Sequence, residues 1–190
     1  VLEYADFDVL RRSAVSDALA WREEFNAVKD VSDVGLERNL FRYRPLPVTI
    51  RLTDEGTLSD LLRVISAATL SRSAFAVSSS VPVPLNVRSV LEVREVPIVV
   101  ESDDEWLLRA AAGGISTSRV RLIGADPIQG ARAAATALAE ALHGRPDIAV
   151  YSGPITQAGR VELLPFLREQ AITITAHRFG NPSTLSDGII

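Results

Sequence analysis

Short runs of β-branched residues alternate with helical segments from Val48 onward, and this alternation limits the fold more than any other feature. It is typical of βαβ units, whose right-handed crossovers give a parallel sheet. We therefore predict an α/β fold, a Rossmann-like mostly parallel sheet with helices on both faces. The predicted strands are 48–52, 75–78, 97–101, 120–123, 148–152 and 172–176, and the predicted helices are 57–68, 87–93, 102–112, 128–142 and 161–170.

Two helix starts carry capping signals. Thr57 with Asp60 resembles a capping box, and Ser102 with Glu105 is a complete one. The acidic groups at 54–55 and 103–105 are therefore interpreted as charges at helix starts, where the helix dipole favours them. Consecutive residues of a helix do not share a face, so these carboxylates are not interpreted as an acid–base pair.

The residues before Val48 are predicted to form one helix and a connector. Helical spacing follows Ser13, and Phe41–Pro45 is expected to be extended because of its proline. The domain organisation is therefore an N-terminal helix and connector over 1–45, the α/β domain over 46–177 and a tail over 178–190. The predicted apolar positions of the first helix are Val15, Ala18, Leu19 and Phe25, with Arg22 at the same spacing.

Composition excludes several chemistries. The chain has no cysteine, which removes disulfides, thiolate metal sites and thiol nucleophiles and fits a reducing, cytoplasmic location. Its two histidines, His143 and His177, are far apart, so a catalytic metal is not expected. A net charge of −4 without a basic stripe argues against nucleic acid, and no apolar run reaches membrane-spanning length. The chain has no methionine, and we expect it to be part of a longer protein.

The turn after the fourth predicted strand contains glycines but no phosphate-binding motif. Gly124–Gly130 has Asp126 and Pro127 where a pyrophosphate would need bare backbone amides. We interpret Asp126 as a helix cap and Pro127 as the first helical residue.

Two serine-rich segments, Ser78–Ser80 and Ser116–Ser118, are candidates for anion binding or nucleophilic chemistry. A nucleophilic serine requires a base and an oxyanion hole, and the sequence has no nucleophile elbow. We interpret both segments as turn and capping hydroxyls.

The last residues offer a docking segment. His177-Arg178 follows the final predicted strand, and a short, partly apolar tail follows that pair. Segments of this kind are either disordered or packed against a partner, and the residues alone leave both open.

Motifs at both ends of the chain resemble the C-terminal end of proline utilization A, most closely its actinobacterial members. The enzymes of this family join an FAD-dependent proline dehydrogenase to an NAD-dependent 1-pyrroline-5-carboxylate dehydrogenase. The segments that carry the resemblance are Gly35–Asn39, Phe41–Pro45, Glu162–Gln170 and Thr173–Ser183.

The resemblance implies a degenerate aldehyde-dehydrogenase-like nucleotide-binding domain that binds no nucleotide. The catalytic cysteine and the NAD and FAD sites would lie in the rest of the parent enzyme, so this chain would have no catalytic residue and no cofactor. It would pack on the catalytic domains of the same enzyme as a lid or scaffold of the tunnel for the intermediate. A homo-oligomer and a peripheral position of the parent at the inner membrane stay open.

Eight residues are the predicted docking contacts. They are Glu37, Asn39, Arg42 and Arg44 in the connector, and His177, Arg178, Phe179 and Asn181 in the tail. The main alternative is a small-molecule or nucleotide-binding α/β module with a site near Ser78–Ser80 or Gly124. A third interpretation is an independent enzyme that works through carboxylates.

Overall fold

The structure is a computed structural model that describes residues 2–32, 37–175, 177–178, 181–182 and 184. Its helices are α1 (Tyr4–Ala20, continued by a π-helical turn Trp21–Phe25), α2 (Leu58–Leu70), α3 (Leu85–Val93), α4 (Asp103–Ala111), α5 (Arg132–Ala141) and α6 (Gly159–Glu162, followed by a 3₁₀ turn Leu164–Phe166). Its strands are β1 (Lys29–Asp30), β2 (Glu37–Pro45), β3 (Val48–Leu52), β4 (Phe75–Ser79), β5 (Ile98–Val100), β6 (Arg119–Ile123), β7 (Ala149–Tyr151), β8 (Leu167–Thr175), β9 (His177–Arg178) and β10 (Asn181–Pro182).

Five parallel strands form the main sheet in the order β5-β4-β3-β6-β7. Counted from β3 as the first, this is the 3-2-1-4-5 order of dinucleotide-binding folds. The chain starts in the middle of the sheet, builds outward to β5 and then returns to the other side of β3. The direction of winding therefore reverses between β3 and β6.

Helices cover both faces of this sheet, because alternate residues of the strands enter two separate cores. On one face, Ile50 and Leu52 of β3 pack with Leu61 of α2. On the other face, Leu122 of β6 packs with Trp106 of α4 and with α5. The predicted α/β class and the parallel sheet with helices on both faces are confirmed.

A second, antiparallel sheet lies beside the first. It has the order β1-β2-β8, and β2 pairs with β8 from Glu37 opposite Thr175 to Pro45 opposite Leu167. The extended conformation predicted for 41–45 is confirmed, and this segment is one half of a long ribbon. Strands β9 and β10 pair with each other just beyond the end of β8.

The predicted first helix is present and Phe25 is buried, but the other predicted apolar positions are exposed. Val15 and Leu19 are 55% and 43% exposed, whereas Ser13 and Asp17 are buried. The reason is an ion pair: both carboxylate oxygens of Asp17 accept hydrogen bonds from Arg63 of α2, at 2.7 and 2.8 Å. Hydrophobic spacing alone cannot indicate a helix that is docked through a charge.

The helix predicted over 161–170 is also wrong. Helix α6 ends at Glu162, and the 3₁₀ turn that follows contains Pro165, which has no amide hydrogen for a continuing helix. From Leu167 the chain is β8, whose pairing with β2 determines its conformation. Tertiary pairing here overrides local helix propensity.

The alanine-rich helix starts later than predicted, at Arg132 and not at 128. The side chain of Asp126 accepts hydrogen bonds from the amides of Ile128 and Gln129, which closes a tight turn. Gly130 then leaves the turn with a φ of +61°. Asp126 therefore caps a turn and not the helix, and Pro127 lies outside α5.

Both predicted capping sites are confirmed. Thr57 accepts a hydrogen bond from the amide of Asp60, and Ser102 with Glu105 forms the complete capping box of α4. Among the described residues, no helix is both long and apolar enough to cross a membrane.

We predict that Asp17→Asn lowers the free energy of unfolding by about 3–5 kcal/mol, because it leaves the Arg63 guanidinium buried without a counter-charge. The measurement is urea denaturation followed by circular dichroism. Asp8→Asn on the same helix is the matched control, since Asp8 pairs with Arg11 and Arg12 at the surface. That change is expected to cost below about 1 kcal/mol. Equal losses in the two variants would contradict a structural role of the buried pair.

Candidate functional site

A cavity of about 370 Å³ opens at the carboxyl ends of β3 and β6, where the winding of the sheet reverses. In open α/β sheets this switch point is where ligands bind. One wall consists of the loop after β3 and the first turns of α4. The other wall consists of the loop after β6 and the first turns of α5.

The cavity is lined by apolar and charged residues together with Thr53, Gln129 and Gly130. Four carboxylates and two guanidinium groups contribute to the lining, so acidic groups are in excess. The charged residues are Asp54, Glu55, Asp103, Asp126, Arg51 and Arg132. The apolar residues are Trp106, Leu107, Leu122, Ala131, Ala133, Ala134 and Ala137.

Arg51 lies at the centre of the site. Its side chain is fully buried in β3, and Nη1 donates to Ser78 Oγ at 2.8 Å and to the Glu101 carbonyl at 3.0 Å. Nη2 donates to Asp103 Oδ1 at 2.5 Å. Its Nε is buried without a hydrogen-bond partner. A single guanidinium therefore links β3, β4, the end of β5 and the start of α4.

Glu101 supports Arg51 from the end of β5. Its carboxylate accepts hydrogen bonds from Arg109 at 2.6 and 3.0 Å and from Ser78 at 2.6 Å. These hydrogen bonds, led by those of Arg109, outweigh burial and hold the pKa of Glu101 below its usual value. Because Ser78 is engaged in this network, its hydroxyl is not an open anion-binding group.

Trp106 lies between two guanidinium groups. The ring centroid is 5.5 Å from the Arg51 guanidinium carbon and 4.9 Å from that of Arg109. Cation–π attraction on this scale orients the indole, which is 3% exposed. The wall of the cavity formed by α4 is thus held in one conformation.

Asp54 and Asp103 form a carboxylate pair on that same wall. The Asp54 amide donates to Asp103 Oδ2 at 3.2 Å. Burial opposes ionisation of Asp103, but hydrogen bonds from Arg51 and from Asp54 together lower its pKa. The hydrogen bond with Asp103 and the charge of Asp103 raise the pKa of Asp54. As the pH falls, Asp54 therefore takes up a proton before Asp103 does.

In the loop after β6, an aspartate side chain accepts hydrogen bonds from amides of the same loop. Asp126 Oδ1 accepts from the Ile128 and Gln129 amides at 2.8 and 2.7 Å, and these hydrogen bonds hold its pKa below the usual value. A Cβ on Gly124 would lie 2.9 Å from the Ala131 Cα, so this glycine permits chain packing and not the approach of a ligand. The amides that a phosphate would bind in this turn are occupied by a carboxylate.

Asp126 does not cap α5. The residue before the helix is Ala131, and no side chain accepts a hydrogen bond from the first turn. The first-turn amides of a helix have no acceptors within the helix itself. Arg132, Ala133 and Ala134 of this turn line the cavity.

The structure brings the four predicted connector contacts onto β2, but only some of them are outward-facing. Asn39 donates to Ser32 and accepts from Thr173, and Arg42 donates to Gln170, so both of these side chains hold the ribbon together. Glu37 and Arg44 are exposed.

The predicted tail contacts lie beyond the end of the same ribbon. His177 and Asn181 are exposed in β9 and β10, and Arg178 is part of β9. Phe179 lies outside the described residues. Since Glu37 is opposite Thr175, it lies at the end of the ribbon that leads to the tail contacts, whereas Arg44, opposite Arg168, lies toward the other end.

Sequence reasoning missed the cavity itself. It treated Asp54 and Asp103 as separate helix-start charges, although both follow parallel strands whose carboxyl ends share one edge of the sheet. The available signal was Arg51, a charge within an otherwise apolar strand. Among the described residues, no group of three or more potential metal ligands is present.

We predict that Asp103→Asn lowers the pKa of Asp54 toward 3.8, because Asp103 is the main cause of its elevation. The measurement is a titration followed by the carboxyl ¹³C chemical shift. In the unmodified protein, Asp54 is expected to titrate above 3.8 and Asp103 below it. Asp104→Asn, at an exposed neighbour outside the cavity, should leave Asp54 unchanged. An Asp54 midpoint unaffected by Asp103→Asn would refute the coupling.

No protein-family model matches the chain, and a search of curated proteins finds no similar sequence. Solved structures do match. Proline utilization A from Corynebacterium freiburgense is 28% identical with a TM-score of 0.59, and the match covers 95% of this chain and 15% of that chain.

Two further structures match less closely. One is proline utilization A with proline bound in remote sites, 14% identical with a TM-score of 0.56, covering 76% of this chain and 15% of that one. This match concerns the fold alone. The other is 3,6-anhydro-L-galactose dehydrogenase in complex with NAP, 13% identical with a TM-score of 0.48, covering 77% of this chain and 31% of that one.

The first match agrees with the resemblance indicated by the sequence motifs. Over nearly its whole length, the chain is similar to a domain-sized part of proline utilization A, and it spans about 15% of the length of that protein.

Proposed function

We propose that this chain is a non-catalytic C-terminal domain of a bifunctional proline-catabolic enzyme. It packs on the catalytic modules as a lid or scaffold of the tunnel through which 1-pyrroline-5-carboxylate passes. The observation that carries this proposal is the match to proline utilization A, which covers 95% of this chain and only 15% of the matched one.

The chemistry of the switch point supports a role without nucleotide. The turn amides after β6 are taken by the Asp126 carboxylate, and four carboxylates line the crevice where a pyrophosphate would lie. A pyrophosphate would meet like charge there. On this proposal the NAD and FAD sites belong to the other modules, and this chain contributes a surface that packs on them.

The ribbon of β2 and β8 supports a docking role. Strand β8 lies at the edge of its three-stranded sheet, and an edge strand offers backbone donors and acceptors to a neighbouring segment. Exposed polar side chains, Glu37, Arg44, His177 and Asn181, lie on this ribbon or just beyond its end. The proposed contact with the catalytic modules is therefore through the ribbon and the residues after it.

The test is the time course of NADH formation from proline by the whole enzyme, compared with a version that ends at Ala176. If the tail seals the tunnel, the shortened enzyme shows a new lag and loses intermediate to a trapping reagent. Each half-reaction, assayed separately, keeps its rate. Coincident time courses for the two enzymes would exclude the lid function.

A matched pair of substitutions refines this test. His177→Asn changes a proposed contact, whereas His143→Asn changes the other exposed histidine, which follows α5 and is not part of the ribbon. We expect the first to lengthen the lag and the second to leave it unchanged. Asparagine suits the control because residue 143 has a φ of +52°, which asparagine tolerates. Equal effects of the two changes would assign the lag to general destabilisation.

A further inference from the structure

A second cavity, of about 320 Å³, lies between the π-helical turn after α1, strand β2 and the end of α2. We propose that it binds a small phosphate monoester whose ester group is apolar or ring-shaped. The phosphate lies among Arg42, Arg44 and Arg72, and the ester group lies against Trp21. Arg44 is toward the end of the ribbon away from the tail contacts, so this site goes beyond the proposed docking function and does not depend on it.

The lining of this cavity is basic. Among the described residues that form it, three carry a guanidinium group and none carries a carboxylate. Arg42 donates to Gln170 Oε1 at 2.8 Å, and Arg44 and Arg72 are exposed. None of the three forms an ion pair with a described carboxylate, although the chain as a whole has a net charge of −4. Guanidinium groups bind phosphate through a fixed fork of donors, so this lining suits a phosphate.

The pairing of β2 with β8 independently calls for an anion at this place. Arg44 is directly opposite Arg168, and Arg42 is opposite the neutral Gln170. Opposite residues, and residues two positions apart, lie on the same face of a sheet, so the three arginines share one face. Like charges in opposite positions destabilise a sheet, and the two strands supply no counter-charge at these positions. A bound dianion would supply it.

The cavity is a gap beside β2. Within the described residues, β1 pairs with β2 only at Leu40 and Phe41. Residues 42–45 of β2 and residues 26–28 line the cavity together, with no strand between them. The volume leaves room beyond a phosphate for one further group of modest size, which excludes long chains and folded polymers.

The part of the lining without charge is largely aromatic. Trp21 is half-buried, and the rings of Phe25 and Tyr43 meet edge to face with their centroids 4.8 Å apart. Burial, with the charges of Glu169 and Glu24, raises the pKa of Tyr43, so its hydroxyl group remains a donor at neutral pH. Inorganic phosphate would leave the aromatic surface uncovered, whereas a monoester contacts both parts of the lining.

The test is an NMR titration of the ¹⁵N-labelled 190-residue protein at about pH 7.5. Phenyl phosphate is the main probe, and it carries nearly two charges there because the second pKa of a phosphate monoester is about 6. Inorganic phosphate lacks the ring, and benzyl alcohol lacks the charge. We expect phenyl phosphate to shift the amide signals of residues 26–28 and of Arg72 and the indole signal of Trp21. Each of the two simpler probes is expected to bind roughly tenfold or more weakly.

Matched variants locate the site. Arg44→Gln should weaken phenyl phosphate binding roughly tenfold, because it removes a charge-assisted hydrogen bond. Arg132→Gln makes the same change at an exposed position in the switch-point cavity, so binding should not change. Glu169→Gln removes a negative charge opposite Tyr43 and should strengthen binding by roughly threefold. Opposite effects of Arg44→Gln and Glu169→Gln are not expected from loss of structure.

Three outcomes would overturn the proposal. Inorganic phosphate binding as tightly as phenyl phosphate would reduce the cavity to a patch that attracts any anion. Phthalate, which carries two carboxylates on a ring, binding more tightly than phenyl phosphate would make the cavity a dicarboxylate site. No shift of the Trp21 and Arg72 signals at saturating phenyl phosphate would show that no phosphate monoester binds there. None of these results bears on the tunnel assay, so the two proposals fail separately.

Discussion

A buried guanidinium in the central strand organises this domain. Arg51 is completely enclosed, and its hydrogen bonds reach the next strand at Ser78, the end of β5 at Glu101 and the start of α4 at Asp103. A charge in such surroundings is stable only when several partners are held in position at once. Arg51 therefore contributes to the position of α4, to the orientation of Trp106 and to the lowered pKa of Asp103.

The sequence alone predicted the main sheet because its strands and helices are determined by neighbouring residues. Apolar strands, two clear capping sites and regular spacing predicted the βαβ order correctly from Val48 to Tyr151. The failures occur where distant residues decide. Asp17 is buried because it pairs with Arg63, which is 46 positions away in the sequence. Leu167–Thr175 is a strand because it pairs with β2. No window of neighbouring residues contains that information.

The candidate site illustrates the same limit for function. Its residues come from the ends of β3 and β6 and the starts of α4 and α5, and each is ordinary in its local context. Asp54 is a turn residue and Asp103 is a helix-start charge, as the sequence indicated. Their opposite pKa shifts and the cavity arise only when the strand order brings the two turns together. The absence of a phosphate-binding motif was visible in the sequence, whereas the replacement of the phosphate by the Asp126 side chain was not.

The ribbon of β2 and β8 has a consequence for the order in which the protein forms. Arg42 and its partner Gln170 are 128 positions apart, so β2 leaves the ribosome long before the strand that pairs with it has been synthesised. Contacts of such long range form slowly, and until they form β2 has its edge unpaired. The βαβ sheet between them is composed of nearer neighbours and can assemble first. Strand β2 carries polar and charged side chains, among them Asn39, Arg42 and Arg44. Such side chains disfavour pairing of β2 with other nascent chains before β8 has been synthesised.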